Sequence, residues 1–169
     1  MISYPVRNDL KGILRLFQAC IMDMNQQGID QWDDQYPNFE VIEADFANQS
    51  LFVARKDDEI VGVISVDDQQ PEEYGNITWQ DQTNALVIHR LAVRPDVQNR
   101  GIAKALMSHA EAVGKQAAYQ SIRLDTYSGN ERAVNFYKKL GYATRGEAWF
   151  PRRTKSFYCM EKSLKIDKE

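Results

Sequence analysis

The sequence predicts an α+β fold with a mixed, mostly antiparallel central sheet flanked by helices. Three observations lead there. Two helical patterns follow a short first strand, a hairpin occupies the middle, and a strand–helix–strand–helix order then runs into two closing β-rich runs. The whole chain, residues 1–169, reads as a single domain, long enough to bury a sizeable core. Hydrophobic residues at 43% and charged residues at 27% match ordinary globular usage, which excludes global disorder and a coiled coil.

The first helix begins at a capping-type Asn8, carries Ile13, Leu14, Phe17 and Ile21 at helical spacing and stops at Gly28. A second, shorter helix follows in "NFEVIEADFANQ". Leu51 to Arg55 and Ile60 to Val66 are strand-like, and the acidic pair Asp57-Asp58 between them makes a hairpin. Residues 67–84 are polar and rich in turn formers, so they read as a long loop between strands. "ALVIHRLAV" is apolar on both faces apart from His89 and Arg90, the pattern of a central strand. Residues 101–118 form an amphipathic helix whose expected buried face is Ile102, Ala105, Leu106, Ala110, Val113 and Ala117. "SIRLDTY" alternates apolar residues with Arg123 and Asp125, a strand with one wet face. "NERAVNFYKKLG" is a short helix closed by Gly141, and "ATRGEAWF" pairs with "SFYCMEKSL" around the tip "PRRTK".

Several function classes fall away. A net charge of −3 and the lack of a basic-aromatic stripe argue against nucleic acid as a partner. No apolar run is long enough to span a membrane. Cys20 and Cys159 fit no CxxC or Cys/His spacing, so no metal site is expected. Two scattered cysteines and the absence of a leader-like start point to the reducing cytoplasm. For any oligomer, a two-fold homodimer is the default form.

The stretch "VRPDVQNRGIAKALM" carries the chemistry. The first N–H groups of a helix lack internal partners and mark the positive end of its dipole, a ready anion site. Gly101 lets an anion approach the backbone, Gln98, Asn99 and Arg100 add donors, and Arg100 or Lys104 adds charge. On these features alone an ordinary polar turn capped by Asn99 explains the stretch as well. Other phosphate motifs, GxxxxGK[ST] and GxGxxG, are absent.

"Gln98-Asn99-Arg100-Gly101-Ile102-Ala103" resembles the [Q/R]-x-x-G-x-[G/A] signature of the GNAT superfamily of N-acetyltransferases, and it follows a strand ending "HRLAVRP" as that family's does. Downstream, Asn130 to Tyr142 is similar to the family's N-x-x-A-x-x-[F/L]-Y-x-x-x-G-[F/Y] segment, with Asn130, Ala133 and Tyr137 at its marked positions. The resemblance covers residues 50 to 162 well and residues 1 to 50 only in their helical pattern. The family's second signature glycine is Ala103 here, an allowed variant.

The resemblance implies a GNAT-like fold in which a splayed strand pair binds acetyl-CoA as co-substrate. It implies that N–H groups around Gln98 to Ala103, Ile102 included, hold the pyrophosphate, with Lys104 beside them in the cofactor site. Leu91, Ala92 and Val93 would face the pantetheine arm and thioester, and Asn130 and Ala133 would lie along the same arm. Asn130 also fits a capping box in "Ser128-Gly129-Asn130-Glu131". Tyr137 would hydrogen-bond or protonate the departing thiolate, whereas Phe136 reads as core.

No glutamate occupies the strand position that serves some relatives as base. His89 is the candidate there, against a bonded core histidine, a water chain or an already neutral amine. Trp32, Tyr36 and Trp79 are candidates for an acceptor-side aromatic wall, with Asp30, Asp33 or Asp34 beside it, against a solvated acidic loop with a packed tryptophan. Glu147 and Trp149 are further candidates, and His109 reads as structural. The expected reaction is direct acetyl transfer to a primary amine of a small molecule. A protein or peptide N-acetyltransferase and a non-catalytic acyl-CoA-binding sensor are the alternatives.

Overall fold

The computed structural model describes residues 1–165. In chain order the elements are β1 (Ile2–Ser3), α1 (Leu10–Gln26), α2 (Phe39–Ala47), β2 (Leu51–Lys56), β3 (Glu59–Asp67), β4 (Ala85–Val93), α3 (Ile102–Gln116), β5 (Ser121–Tyr127), α4 (Glu131–Lys139), β6 (Ala143–Ala148) and β7 (Phe157–Ser163). The strands form one sheet in the order β1-β2-β3-β4-β5-β7-β6. Pairing is antiparallel for β1–β2, β2–β3, β5–β7 and β6–β7, and parallel for β4–β5. The fold is therefore the expected mixed α+β one.

Two compact units share β4 and α3. The first comprises Met1–Val66 with His89–Ala110, the second Asp67–Ile88 with residues 111–165.

In the first unit α1 lays Leu10, Ile13, Leu16, Phe17, Cys20 and Ile21 against a core completed by Ile42, Leu51, Val53, Val63 and Ala92. Asp9, not Asn8, occupies the position before α1. Asn8 falls inside a short 3-10 turn, while the Asp9 carboxylate accepts from the Val6 N–H at 2.7 Å and pairs with Arg55. Gly28, at φ +78°, follows the end of α1, and Asn38 caps α2 by accepting from the Val41 N–H. Both Asp57 and Asp58 have positive φ, the conformation of a tight two-residue hairpin between β2 and β3. The alternate face of β2 places Phe52 edge-on to His109 of α3 at 4.6 Å, a packing role for that histidine.

In the second unit residues 67–84 form the expected long loop, largely exposed, with two aromatic side chains buried. They fold back through a 3-10 turn at Glu72–Asn76, and Tyr74 and Trp79 pack with Val87, Ala148 and Cys159. Two buried charges hold the segment down. Arg123 donates to Gln70 Oε1 at 2.7 Å and to the Asp81 carbonyl at 2.6 Å, with its guanidinium 4.4 Å from the Trp79 ring centre. Glu161, its partner across β5–β7, accepts from the Gln80 N–H at 2.7 Å and from Arg145 Nε at 2.8 Å. The wet face expected for β5 is thus covered, and Arg123 is only 4% exposed.

The buried stripe of α3 also differs from expectation. Leu106, Met107, Ala110 and Gly114 are buried, whereas Ala105 and Ala117 face solvent and Val113 is half-buried. Glycine at 114 allows the close approach: a Cβ there would lie 2.7 Å from Leu164 and 3.3 Å from Leu86. In the first unit Gly62 has the same function, because a Cβ would meet Ile102 and Leu106 each at 2.9 Å. Gly62→Ala is expected to lose about 1–3 kcal/mol through overpacking, read as a lower denaturant midpoint with unchanged slope.

Candidate active site

The anion-site stretch lies in the first unit. β4 ends at Val93, a 3-10 turn spans Pro95–Val97, and α3 starts at Ile102. Asn99 (φ +65°) and Gly101 (φ +84°) both have left-handed backbone. The Gly101 carbonyl accepts from the Ala105 N–H at 3.0 Å, the opening turn of the helix. By helix geometry the N–H groups of Ile102, Ala103 and Lys104 have no carbonyl one turn back. A Cβ at Gly101 would touch nothing within 4 Å, so backbone conformation, not crowding, favours glycine there.

Asn99, Arg100, Gly101 and Lys104 are exposed, and Ile102 and Ala103 half-buried. An open helix start with two flanking cations suits a pyrophosphate. Gln98 is more committed: its N–H donates to the Pro95 carbonyl and its side chain to the Val93 carbonyl at 3.2 Å. Cys20 Sγ donates to that carbonyl too, also at 3.2 Å, so its oxygen is already engaged. Leu91 is half-buried, and Ala92 and Val93 are buried.

The same unit holds the acceptor-side candidates. Trp32, 9% exposed, sits edge-on to Phe17 at 5.5 Å and belongs to the core, not to an open wall. Tyr36 is 38% exposed and is fixed from both ends. Asp33 Oδ1 accepts from the N–H groups of Gln35 and Tyr36, and the Tyr36 hydroxyl accepts from Arg90 at 2.6 Å. Arg90, 8% exposed, also pairs with Asp45 and donates to Ser65 Oγ. His89 is half-buried beside it on β4. In the sequence Arg90 is a polar break in an apolar strand, and that break is the signal of its role.

The second unit carries the other motif. Asn130 caps α4, its Oδ1 accepting from the Ala133 N–H at 3.2 Å. Ala133 is half-buried. Tyr137 is buried and its neighbour Phe136 only half-buried, the reverse of the expected core assignment. The Tyr137 ring meets Phe136 and Tyr142 edge-on. Burial, and then the Asp125 carboxylate, push its phenol above the ordinary range, so it stays protonated and able to donate. Trp79 is buried, its indole N–H donating to the Tyr74 carbonyl, with Arg123 over its ring. That ring face is therefore taken. Glu147 accepts from Ser156 Oγ at 2.8 Å, and Trp149 is exposed. Two residues not proposed from sequence stand out: Tyr74, whose hydroxyl donates to Asp125 Oδ2 at 2.6 Å, and Asp125 itself.

Among the described residues no group of three His, Cys, Asp or Glu is placed to hold a metal, and no helix is long and apolar enough to cross a membrane.

Comparison with known proteins bears on the family and the fold. Residues 14–142 match the acetyltransferase (GNAT) family. An uncharacterised N-acetyltransferase of Bacillus subtilis, YesJ, is 24% identical over 145 residues, covering 83% of this chain and 80% of that protein. A Staphylococcus aureus Mu50 protein described as an acetyltransferase is 31% identical, with a TM-score of 0.76 over 98% of this chain and 99% of its own. YncA from Salmonella typhimurium, solved with its cofactor acetyl-CoA, shares the fold at 13% identity, with a TM-score of 0.74 over 100% of this chain and 96% of that one.

Two predictions follow from the local geometry. Gly101→Ala is expected to cost about 1–2 kcal/mol, because it places a Cβ on left-handed backbone, and to weaken acetyl-CoA binding measured by calorimetry. Burial, with Asp23 adding to it, pushes the Cys20 thiol up to about 12. Burial, with Asp125 adding to it, does the same for Cys159. Neither thiol is expected to be alkylated by iodoacetamide at pH 7 in the native state, and both are in denaturant, as mass spectrometry would show.

Proposed function

Since the chain belongs to the acetyltransferase (GNAT) family and so is an acetyl-CoA-dependent N-acetyltransferase, we propose that its acceptor is the primary amine of a small molecule. The observation that carries this reading is the fastening of residues 28–37. Trp32 is buried, and Tyr36 is tied to Arg90, which is itself tied to Asp45 and Ser65. A wall fixed by a buried ion pair suits a compact acceptor. An extended peptide would instead need a run of free backbone or side-chain partners along such a segment.

In this reading residues 1–169 work as one domain, and acetyl-CoA supplies an acyl group activated as a thioester. The open N–H groups of residues 102–104, with Arg100 and Lys104, hold the pyrophosphate. Backbone groups of Leu91, Ala92 and Val93 lie along the pantetheine arm. The Val93 carbonyl is already engaged by Cys20 and Gln98, so its contribution narrows to the N–H, aimed at the developing oxyanion. Asn130 contributes its amide beside the cap it makes, and Ala133 contributes small size.

Tyr137 acts on the leaving sulfur. A thiol has an ordinary pKa near 8.5 and a phenol near 10, and burial raises Tyr137 further. Full proton transfer from the phenol to a thiolate is therefore uphill. Its contribution is a strong hydrogen bond to the sulfur as negative charge develops there, in a site where water does not compete.

A thiol-release assay with polyamines, amino acids, aminoglycosides, simple alkylamines and short peptides tests the acceptor class. Turnover on small amines well above that on peptides is expected, and the reverse order overturns the proposal. Tyr137→Phe is expected to lower kcat about 100-fold while leaving the acetyl-CoA Kd within about twofold. Unchanged turnover removes Tyr137 from the chemistry.

A further inference from the structure

We propose that Asp125, held in place by the Tyr74 hydroxyl, is the group that receives the acceptor amine and takes its proton. This rests on the small-amine reading and names the residue that this reading lacks.

Asp125 is the one residue of β5 that is not buried. Its strand neighbours Leu124 and Thr126 are buried, and so is Cys159, its partner across β7. A carboxylate set into such a strand is costly to desolvate unless donors reach it. Tyr74 is such a donor, itself 2% exposed and delivered by the folded-back segment 67–84. That segment is held by Arg123 and Glu161, so the Tyr74 hydroxyl has a fixed position.

The surrounding titratable groups are neutral acids. Tyr74 from the 67–84 segment, Tyr137 from α4 and Cys159 from β7 are all raised first by burial and then by the Asp125 charge. Arg123 eases the shift of Tyr74, and Glu73 adds to that of Cys159. β4 and β5 are paired as far as Ile88 and Leu124, so Asp125 is the first residue of β5 beyond that pairing, and its negative field favours a cation. An ammonium is the cation that this reaction brings.

The proton balance is simple. The ammonium first loses one proton to water. As the C–N bond forms, the nitrogen's remaining protons become far more acidic than those of a free amine, and a carboxylate becomes a competent acceptor. One N–H proton passes to Asp125 and then to water. The C–S bond breaks with its electron pair on sulfur, beside the Tyr137 hydroxyl, and the thiolate takes a proton from water. His89, the base candidate from sequence, is not required by this route.

The test uses the full chain, with acetyl-CoA affinity measured by calorimetry and amine kinetics by thiol release. Asp125→Asn keeps an acceptor for Tyr74 but removes the charge. It is expected to lower kcat/KM for the best amine about 100-fold or more, with acetyl-CoA Kd within twofold and Tm unchanged. Tyr74→Phe removes one donor, which makes the carboxylate easier to protonate. The low-pH break in kcat/KM is expected to move to higher pH in that variant.

Asp125→Asn with wild-type kcat/KM, a loss that merely tracks acetyl-CoA affinity or Tm, or an unmoved pH break in Tyr74→Phe would each overturn the assignment. A wild-type enzyme that acetylates no amine at all overturns both the small-amine reading and this assignment. A wild type active on small amines but indifferent to Asp125→Asn overturns only the assignment. If peptides are the acceptors, the same variants assayed on the best peptide decide it.

Discussion

The polar segment 67–84 lies on the sheet because two charges are buried beneath it. Arg123 and Glu161 occupy paired positions on β5 and β7, and each hydrogen-bonds to the segment. A buried charge is costly unless hydrogen bonds reach it. The value of these two is positional. Removing either would take away the hydrogen bonds that tie down Gln70 and Asp81, or Gln80, and would release the backbone that carries Tyr74 and Trp79. The hydroxyl that meets Asp125 is therefore located by charges at other positions.

The first unit repeats the device with other residues. Arg90 is buried in β4 and pairs with Asp45 on α2, and its remaining donors go to Ser65 and to the Tyr36 hydroxyl. Asp33 ties down the other end of the same loop through two backbone N–H groups. In both units an arginine on a central strand sits near an aromatic side chain and fixes a polar connection. The guanidinium suits this task, because its planar fork can serve several acceptors at once while its faces stack on rings. Loops fastened in this way keep polar side chains in fixed positions, a requirement of acceptor recognition that apolar packing alone does not meet.

Much of the fold was legible because its signals are local. β4 and β5 have the bounds read from their apolar runs, the Asp57-Asp58 turn adopts the backbone its acidic pair suggested, and Gly141 has the positive φ expected of a helix C-cap. The errors share one cause. Alternation in "SIRLDTY" suggests a wet face only if nothing covers it, and the cover comes from residues 67–84, whose composition suggests solvent. The stripe of α3 is displaced because a helix packs where glycines let it approach, at Gly62 and Gly114, not where alanines happen to repeat. Tyr137, not Phe136, is the buried ring because the register of α4 is set by its Asn130 cap and its Val134 anchor, and the more hydrophobic of two adjacent aromatics need not point inward.

The same distinction divides the site. A helix start can hold a pyrophosphate chiefly by backbone N–H groups and a few flanking charges, so contiguous residues suffice, and the stretch 98–104 proposed for it can be read from one line of sequence. The polar pairs proposed here for the acceptor join residues far apart in the chain. Tyr74 meets Asp125 across 51 positions, and Arg90 meets Tyr36 across 54. No local pattern marks either pair: a tyrosine in a turn and an aspartate in an alternating strand are each unremarkable alone. The donor half of such an enzyme is therefore legible from motifs, and the acceptor half becomes legible only when folding brings the partners together.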